Sequence, residues 1–102
     1  PPNPVLISLA LFLSFFVMAP TFEKAWQTGV QPYQEGRISE QVAFERAAEP
    51  FRTFMLAHVR DEELKLFNDL AATKPSSRAE TPFTTLVPAF MISELRRAFE
   101  IG

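Results

Sequence analysis

An uncharged, apolar run at the N-terminal end constrains this chain more than any other feature. Residues 1–22 carry no charged side chain, and residues 5–19 are apolar on every side of a helix rather than along one stripe. A membrane helix needs about 20 mostly apolar residues, so this run is at the short end of the range. It predicts a helix embedded in a membrane or in other protein, with Pro4 in its first turn and a bend at Pro20.

Two other interpretations of this run remain open. A signal peptide would have basic residues before the apolar segment, and residues 1–4 have none. A core helix of a soluble domain would need the other 80 or so residues to wrap it, and they are too polar to do so. Trp26 and Tyr33 suit either a membrane–water boundary or packing against a polar domain. Too few basic residues flank the run to orient it across a membrane.

The composition limits the fold and the partners. With 102 residues the chain forms at most one small domain, and its net charge of −2 provides no electrostatic surface for nucleic acid. Cysteine is absent, so neither disulfides nor thiol chemistry is available from these residues. Alanine, leucine, glutamate and arginine are plentiful, and alternating strand patterns are scarce. The prediction is an all-α fold.

The polar middle of the chain predicts a loop followed by three short helices. Residues 28–36 contain Gly29, Pro32 and Gly36 and are typical of a loop. Ser39 is a good N-cap for a helix over residues 40–49. Pro50 predicts a break, after which a second helix covers residues 50–59. A third helix is expected over residues 62–72, with Asp61 as its cap, and a polar loop over residues 73–82.

Two of these helices carry apolar stripes. The stripe of the second helix consists of Phe51, Phe54, Met55 and His58, and that of the third consists of Leu64, Phe67, Leu70 and Ala71. Three helices of this length form a small and marginally stable core. The stripes therefore serve either a mini-bundle within the chain or contacts with another subunit.

The chemistry of an enzyme is missing from the sequence. His58 is the only histidine, and with no cysteine there is no set of metal ligands. Asp61, Glu62 and Glu63 are consecutive, so they point in different directions on a helix and suit its first turn instead. No glycine-rich phosphate loop is present. We expect no catalytic residue, no metal and no cofactor.

The last fifteen residues predict another helix, beginning with Pro88 in its first turn. We expect Phe90, Leu95 and Phe99 to share roughly one face, with charge around the rest. Glu94 lies in the middle of this apolar segment, where a carboxylate needs a partner. That partner is either Arg97 of the same helix or a basic residue of a neighbouring subunit.

Residues 88–102, PAFMISELRRAFEIG, also resemble the signature of the FliP family, flagellar biosynthesis proteins of the type III export gate. Residues 2–13 and 16–20 are similar to the second hydrophobic helix of that family. Residues 31–33, 37–39, 49–56 and 66–67 are similar to its periplasmic domain. The resemblance therefore extends over nearly the whole chain.

This resemblance implies three segments and a location. Residues 1–27 would be a hydrophobic membrane or gate helix, residues 28–82 a small helical domain facing the periplasm, and residues 83–102 the start of the next hydrophobic helix. It implies a subunit of the bacterial inner membrane, in the flagellar basal body, whose copies assemble with one another and with other export-gate membrane subunits. The assembly would pass unfolded flagellar proteins. A full family member is expected to have further hydrophobic segments on both sides of these residues.

The resemblance implies subunit contacts through the apolar stripes and the last helix. Candidate subunit-contact residues are Phe51, Phe54, Phe67, Phe90, Glu94, Arg97 and Phe99. The hydrophobic helices would contact lipid or neighbouring helices. Two alternatives remain: a membrane-anchored module that binds another protein through its phenylalanine stripes, and the equivalent subunit of a virulence injectisome.

Overall fold

Helices make up nearly all of this protein. The computed structural model describes residues 3–72 and 74–101, and no strand occurs among them. In chain order the elements are α1 (Asn3–Ala25), a π turn (Trp26–Val30), α2 (Gln31–Gln34), α3 (Glu40–His58), α4 (Asp61–Leu70), a 3₁₀ turn (Arg78–Glu80) and α5 (Phe83–Ile101). The predicted all-α class is confirmed. The chain forms two compact units, residues 1–51 and 52–102, and the boundary falls inside α3.

In the first unit the helix that begins at Asn3 runs on to Gln34 through the π turn. The prediction of a loop over residues 28–36 is therefore wrong up to Gln34. The N–H of Gln31 donates to the carbonyl of Trp26, five residues back, which widens the helix just before Pro32. The wider turn accommodates a proline that would otherwise clash with the preceding turn.

The chain leaves α2 through a glycine turn. Gly36 has a φ of 74°, its N–H donates to Tyr33 O at 3.0 Å, and the N–H of Arg37 donates to Pro32 O at 3.0 Å. This pair of hydrogen bonds is the Schellman arrangement, in which glycine occupies the left-handed position without penalty. The end of the helix is thus set by Gly36 and not by Gly29 or Pro32.

Helix α3 begins where the sequence predicts and continues further than expected. The hydroxyl of Ser39 accepts the N–H of Val42 at 3.2 Å, so the predicted N-cap is confirmed. The predicted break at Pro50 is wrong, because α3 passes through it to His58. Pro50 leaves the carbonyl of Arg46 without its usual helical donor. The hydroxyl of Thr28 lies 3.3 Å from that oxygen and 2.8 Å from the carbonyl of Lys24, so its one proton is shared between two acceptors.

Close packing of the π turn against α3 explains the buried glycine in it. A Cβ on Gly29 would lie 2.7 Å from Ala43 O and 2.8 Å from the Cβ of Ala47. Only glycine therefore lets the two backbones approach this closely.

The second unit has a small core between α4, α5 and the last turn of α3. Its buried residues are Val59, Leu64, Leu86 and Ala89, with Met55, Leu56 and Phe67 packed against them. Helix α5 begins at Phe83 and not at Pro88, because the carbonyl of Pro82 already accepts the N–H groups of Thr85 and Leu86 at 3.0 and 2.8 Å. Pro88 is instead an interior residue.

The start of α4 differs from the prediction by one residue. Arg60 holds the N-cap position, and Asp61 is in the first turn. Asp61 does not cap the helix, since its carboxylate pairs with Arg78 at 2.7 Å. Arg78 also donates to the carbonyl of Leu56 at 2.7 Å, so the polar loop is attached to the core. Thr81 in the same loop is fully buried, and Thr73 lies outside the described residues.

Candidate functional site

Helix α1 exposes its apolar side chains on all sides. The helix from Asn3 to Gln34 is long and apolar enough to cross a membrane, and none of its most apolar part is buried within the chain. Among the described residues it is the single helix that meets this test. Apolar surface of this extent in water would be an aggregation hazard. Another molecule, lipid or protein, must cover it.

Helix α5 has the second exposed apolar surface. Unlike in a usual amphipathic helix, several of its large apolar side chains face away from the core of the unit. Its buried side consists of Thr85, Leu86, Ala89 and Ser93. Large apolar residues lie outside on one stripe made of Met91, Ile92, Leu95 and Phe99, of which Phe99 is 81% exposed. The prediction that Phe90 shares this face is wrong. Phe90 is half-buried and contacts Phe54. Leu95 and Phe99 follow Phe90 by five and nine residues, which turn the helix through about 140° and 180°, so they lie on the other side.

Charged residues of α5 pair with charged residues of α4 and its N-cap. Arg96 lies 2.9 Å from Glu63 and 3.2 Å from Glu62, and Arg60 donates to Glu100 at 2.9 Å. Arg60 also donates its backbone N–H to the buried hydroxyl of Ser93 at 3.0 Å. These polar contacts join α4 to α5 and leave the apolar stripe of α5 facing away from them.

Glu63 is the most buried ionisable residue in this layer, at 2% exposed. Arg96 Nε is 2.9 Å from Glu63 Oε1, yet its N–H is not directed well enough for a hydrogen bond, and neither carboxylate oxygen has a hydrogen-bond partner among the described residues. The contact is therefore an ion pair without directional bonding. A buried carboxylate held this way depends strongly on its nearest cationic neighbour.

The Arg60–Glu100 pair is exposed and better directed. Hydrogen bonding from the Arg60 guanidinium lowers the pKa of the Glu100 carboxyl below its ordinary value. The same hydrogen bond raises the pKa of Arg60. Both groups are charged at neutral pH, so the pair joins the N-cap of α4 to the last turns of α5.

Glu94 pairs within its own helix. Its carboxylate lies 2.5 Å from Arg97, three residues later, and Arg97 also donates to the carbonyl of His58 at 3.1 Å. The same-helix partner considered for Glu94 is therefore the one observed. Both side chains remain partly accessible, at 39% and 36% exposed.

The structure brings some of the candidate contact residues together and separates others. In the second unit, Phe54 lies between His58 and Phe90, with ring centroids 4.3 and 6.0 Å away. Phe67 packs on the core. In the first unit, Phe51 contacts Phe22 edge to face at 5.6 Å.

Three important residues escaped the sequence reasoning. Arg60, Arg78 and Ser93 each bond to positions 17 to 40 residues away. Ser93 could have been found from the sequence, because it is a polar residue within an apolar helix and a buried hydroxyl needs a hydrogen-bond partner. Nothing local distinguishes Arg60 or Arg78 from other surface arginines.

The described residues offer no evident reaction centre. His58 places Nδ1 2.8 Å from the carbonyl of Phe54 and stacks on that phenylalanine's ring. No group of three or more potential metal ligands occurs in residues 3–72 and 74–101. The arrangement supports association between molecules more directly than chemistry.

Comparison with known proteins agrees with the sequence signature. The sequence model of the FliP family matches residues 1–102. The chain is 52% identical to the flagellar biosynthetic protein FliP of Agrobacterium fabrum and 50% identical to that of Bacillus subtilis. Both alignments cover the whole chain but only 43% and 47% of the relatives' lengths. The chain thus spans less than half of these curated relatives.

Proposed function

Because the chain belongs to the FliP family, we propose that it is part of a structural subunit of the flagellar type III protein export gate. In this proposal several copies assemble with other gate membrane subunits into an inner-membrane channel. The channel passes unfolded flagellar proteins, and the part between α1 and α5 faces the periplasm. The proposal includes no catalytic step and no cofactor.

The uncovered apolar surface of α1 is the observation that carries the proposal. A helix whose most apolar part is left bare by its own chain must be covered there by lipid or by neighbouring helices. The α5 stripe adds a second apolar surface, and the charged residues between α4 and α5 already form ion pairs within the chain. Assembly would cover both surfaces without breaking the ion pairs between α4 and α5.

Phe99 and Glu94 are the contact residues that we propose first. Phe99 is the most exposed phenylalanine of the described residues. The Glu94–Arg97 pair also remains accessible, on another side of α5. Replacing a contact phenylalanine by alanine commonly weakens an interface by about 2 kcal/mol, or roughly thirtyfold. Phe51, Phe54, Phe67 and Phe90 are contact candidates with less accessible surface.

The test uses the full-length protein in a strain that lacks it. We expect the wild type to restore secretion of flagellin and to purify in detergent as a homo-oligomer, measured by light scattering. Phe99→Ala should reduce both, whereas Phe44→Ala should not, although Phe44 is 75% exposed. Similarly, Glu94→Ala should weaken assembly more than Glu80→Ala. A stable monomer that restores secretion would refute the proposal.

A further inference from the structure

Helix α3 has two halves that pack in different units, and Pro50 lies between them. In the N-terminal half, Ala43 and Ala47 lie so close to Gly29 of the π turn that a Cβ there would be within 2.8 Å of atoms of both. In the C-terminal half, Met55 packs on the buried core of the second unit. One helix is therefore part of two separately packed units.

The side chains on the two sides of the unit boundary are attached to different units. Phe51 is the last residue of the first unit, and its ring lies edge to face with that of Phe22 at 5.6 Å. Arg52 is the first residue of the second unit. Its guanidinium donates to the carbonyl of Thr81 and lies 4.2 Å from the ring centre of Phe83. Two consecutive residues of α3 thus belong to two bodies.

The helical hydrogen bonding of α3 is incomplete next to this boundary. Pro50 has no N–H, so the carbonyl of Arg46 lacks its usual helical donor. The Thr28 hydroxyl lies 3.3 Å from that oxygen but shares its proton with the nearer carbonyl of Lys24, at 2.8 Å. The missing bond is therefore replaced only in part. Helices bend most readily where their hydrogen bonding is interrupted, and proline is the commonest cause.

We propose that α3 bends at residues 46–50 and is a hinge, with the C-terminal half of α3 and the rest of the second unit moving as one body. This inference deepens the proposed export-gate function and rests on it. A channel that passes polypeptides without leaking between them needs at least two states. A few residues that absorb backbone rotation between rigid bodies separate such states in many proteins. The moving body carries α5 with its exposed apolar stripe.

Position distinguishes Pro50 from the other interior prolines of the described residues. Pro20 of α1 and Pro88 of α5 each lie well inside a single unit. Pro88 stands between Leu86 and Ala89, which are both fully buried in the same core. A bend at Pro88 would disrupt that core, whereas a bend at Pro50 leaves the packing of both units intact. Pro88 is therefore the matched control for Pro50.

Distance measurement between two spin labels in the full-length protein tests the hinge. Residues 1–102 contain no cysteine, and cysteines elsewhere in the protein would be replaced. Labels are attached to Gln34→Cys in the first unit and Lys65→Cys in the second, both at exposed positions. Labelled copies are diluted with cysteine-free copies, so that double electron–electron resonance reports distances within one subunit.

Pro50→Ala restores the helical N–H and should straighten and stiffen α3. We expect the width of the distance distribution to fall about twofold and flagellin secretion to fall about tenfold, with the homo-oligomer retained. Pro50→Gly also restores the N–H but keeps a permissive backbone, so both readouts should stay within about twofold of the wild type. Pro88→Ala should leave the width within about twofold as well.

The outcomes separate this inference from the proposed function. If Pro50→Ala leaves the width unchanged, or if Pro88→Ala narrows it equally, while the wild type forms its homo-oligomer and secretes flagellin, the hinge is refuted and the proposed function stands. A narrowed distribution with wild-type secretion would show that bending has no part in export, and it would overturn the inference too. If the wild type forms no homo-oligomer, the proposed function itself fails.

Discussion

Loss of Arg96, the cation nearest to Glu63, should destabilise the second unit more than any other charge deletion there. Glu63 is 2% exposed, and Arg96 approaches it at 2.9 Å. Removing one partner of a fully buried pair costs about 3–5 kcal/mol, because the other charge is left unpaired. The Arg96 side chain is 48% exposed, however, so water screens part of the interaction. We therefore expect Arg96→Met to lower the free energy of unfolding by about 2 kcal/mol.

The assay is urea-dependent pulse proteolysis of the full-length protein in detergent, which reports the unfolded fraction without requiring a soluble fragment. Glu62→Met is the matched control. Glu62 also contacts Arg96, at 3.2 Å, but its side chain is 77% exposed. We expect Glu62→Met to change the free energy of unfolding by less than about 0.5 kcal/mol.

A double variant separates the lost charge pair from a simple loss of packing. Glu63→Met in the Arg96→Met background removes the unpaired carboxylate and should recover most of the stability, since apolar replacements of buried ion pairs are often neutral. Equal losses for Arg96→Met and Glu62→Met would refute the reasoning. So would a double variant whose loss equals or exceeds the sum of the two single losses.

Three further predictions concern other contacts in the two units. Gly29→Ala should destabilise the protein although alanine favours a helix by about 1 kcal/mol. The added Cβ would clash with the backbone atoms Ala43 O and Ala47 N, which no side-chain substitution removes; stabilisation by Gly29→Ala in the same proteolysis assay would contradict the packing argument. Thr28→Val should lower the free energy of unfolding by about 1 kcal/mol because the hydroxyl is lost, whereas Thr28→Ser keeps the hydroxyl and should not. Equal effects of the two substitutions in the same proteolysis assay would contradict a stabilising role of this hydroxyl. The Glu100 pKa is lowered in the folded state, so the Arg60–Glu100 pair stabilises the fold above the unfolded pKa of about 4.3 and loses this as pH falls through the folded value. The difference in urea midpoint between wild type and Glu100→Gln should therefore be present at pH 7 and shrink below pH 4, and a difference that grows on acidification would contradict it.

Local signals predicted those features that depend on neighbouring residues alone. Ser39 caps α3 because its hydroxyl reaches an N–H three residues later, a distance that the sequence itself specifies. The apolar run of α1 is likewise visible without any knowledge of the rest of the chain. Both features depend only on residues that are close together in the sequence.

The prolines were misjudged because neighbouring structure accommodates them. Pro50 lies inside α3, and the Thr28 hydroxyl, 18 residues away along the chain, is 3.3 Å from the carbonyl that this proline leaves without a donor. That hydroxyl shares its proton with the closer carbonyl of Lys24. Pro32 follows a π turn that no composition rule anticipates. Proline disfavours a continuous helix only where the surrounding backbone does not accommodate it.

The reversed sides of α5 connect these observations to assembly. A stripe of large apolar residues normally indicates the side that faces a core, yet Leu95 and Phe99 face outward while Ser93 is buried and hydrogen-bonded to Arg60. In the proposed assembly, this stripe is the side of α5 that faces a partner subunit. A unit whose interior is partly polar gains little from its own core, and binding that covers the outer stripe stabilises the folded state by mass action. The stability of the second unit should accordingly rise with protein concentration in the wild type, and rise less in Phe99→Ala. The measurement is the urea midpoint over a hundredfold dilution series. The same concentration dependence in both proteins would refute the link between assembly and stability.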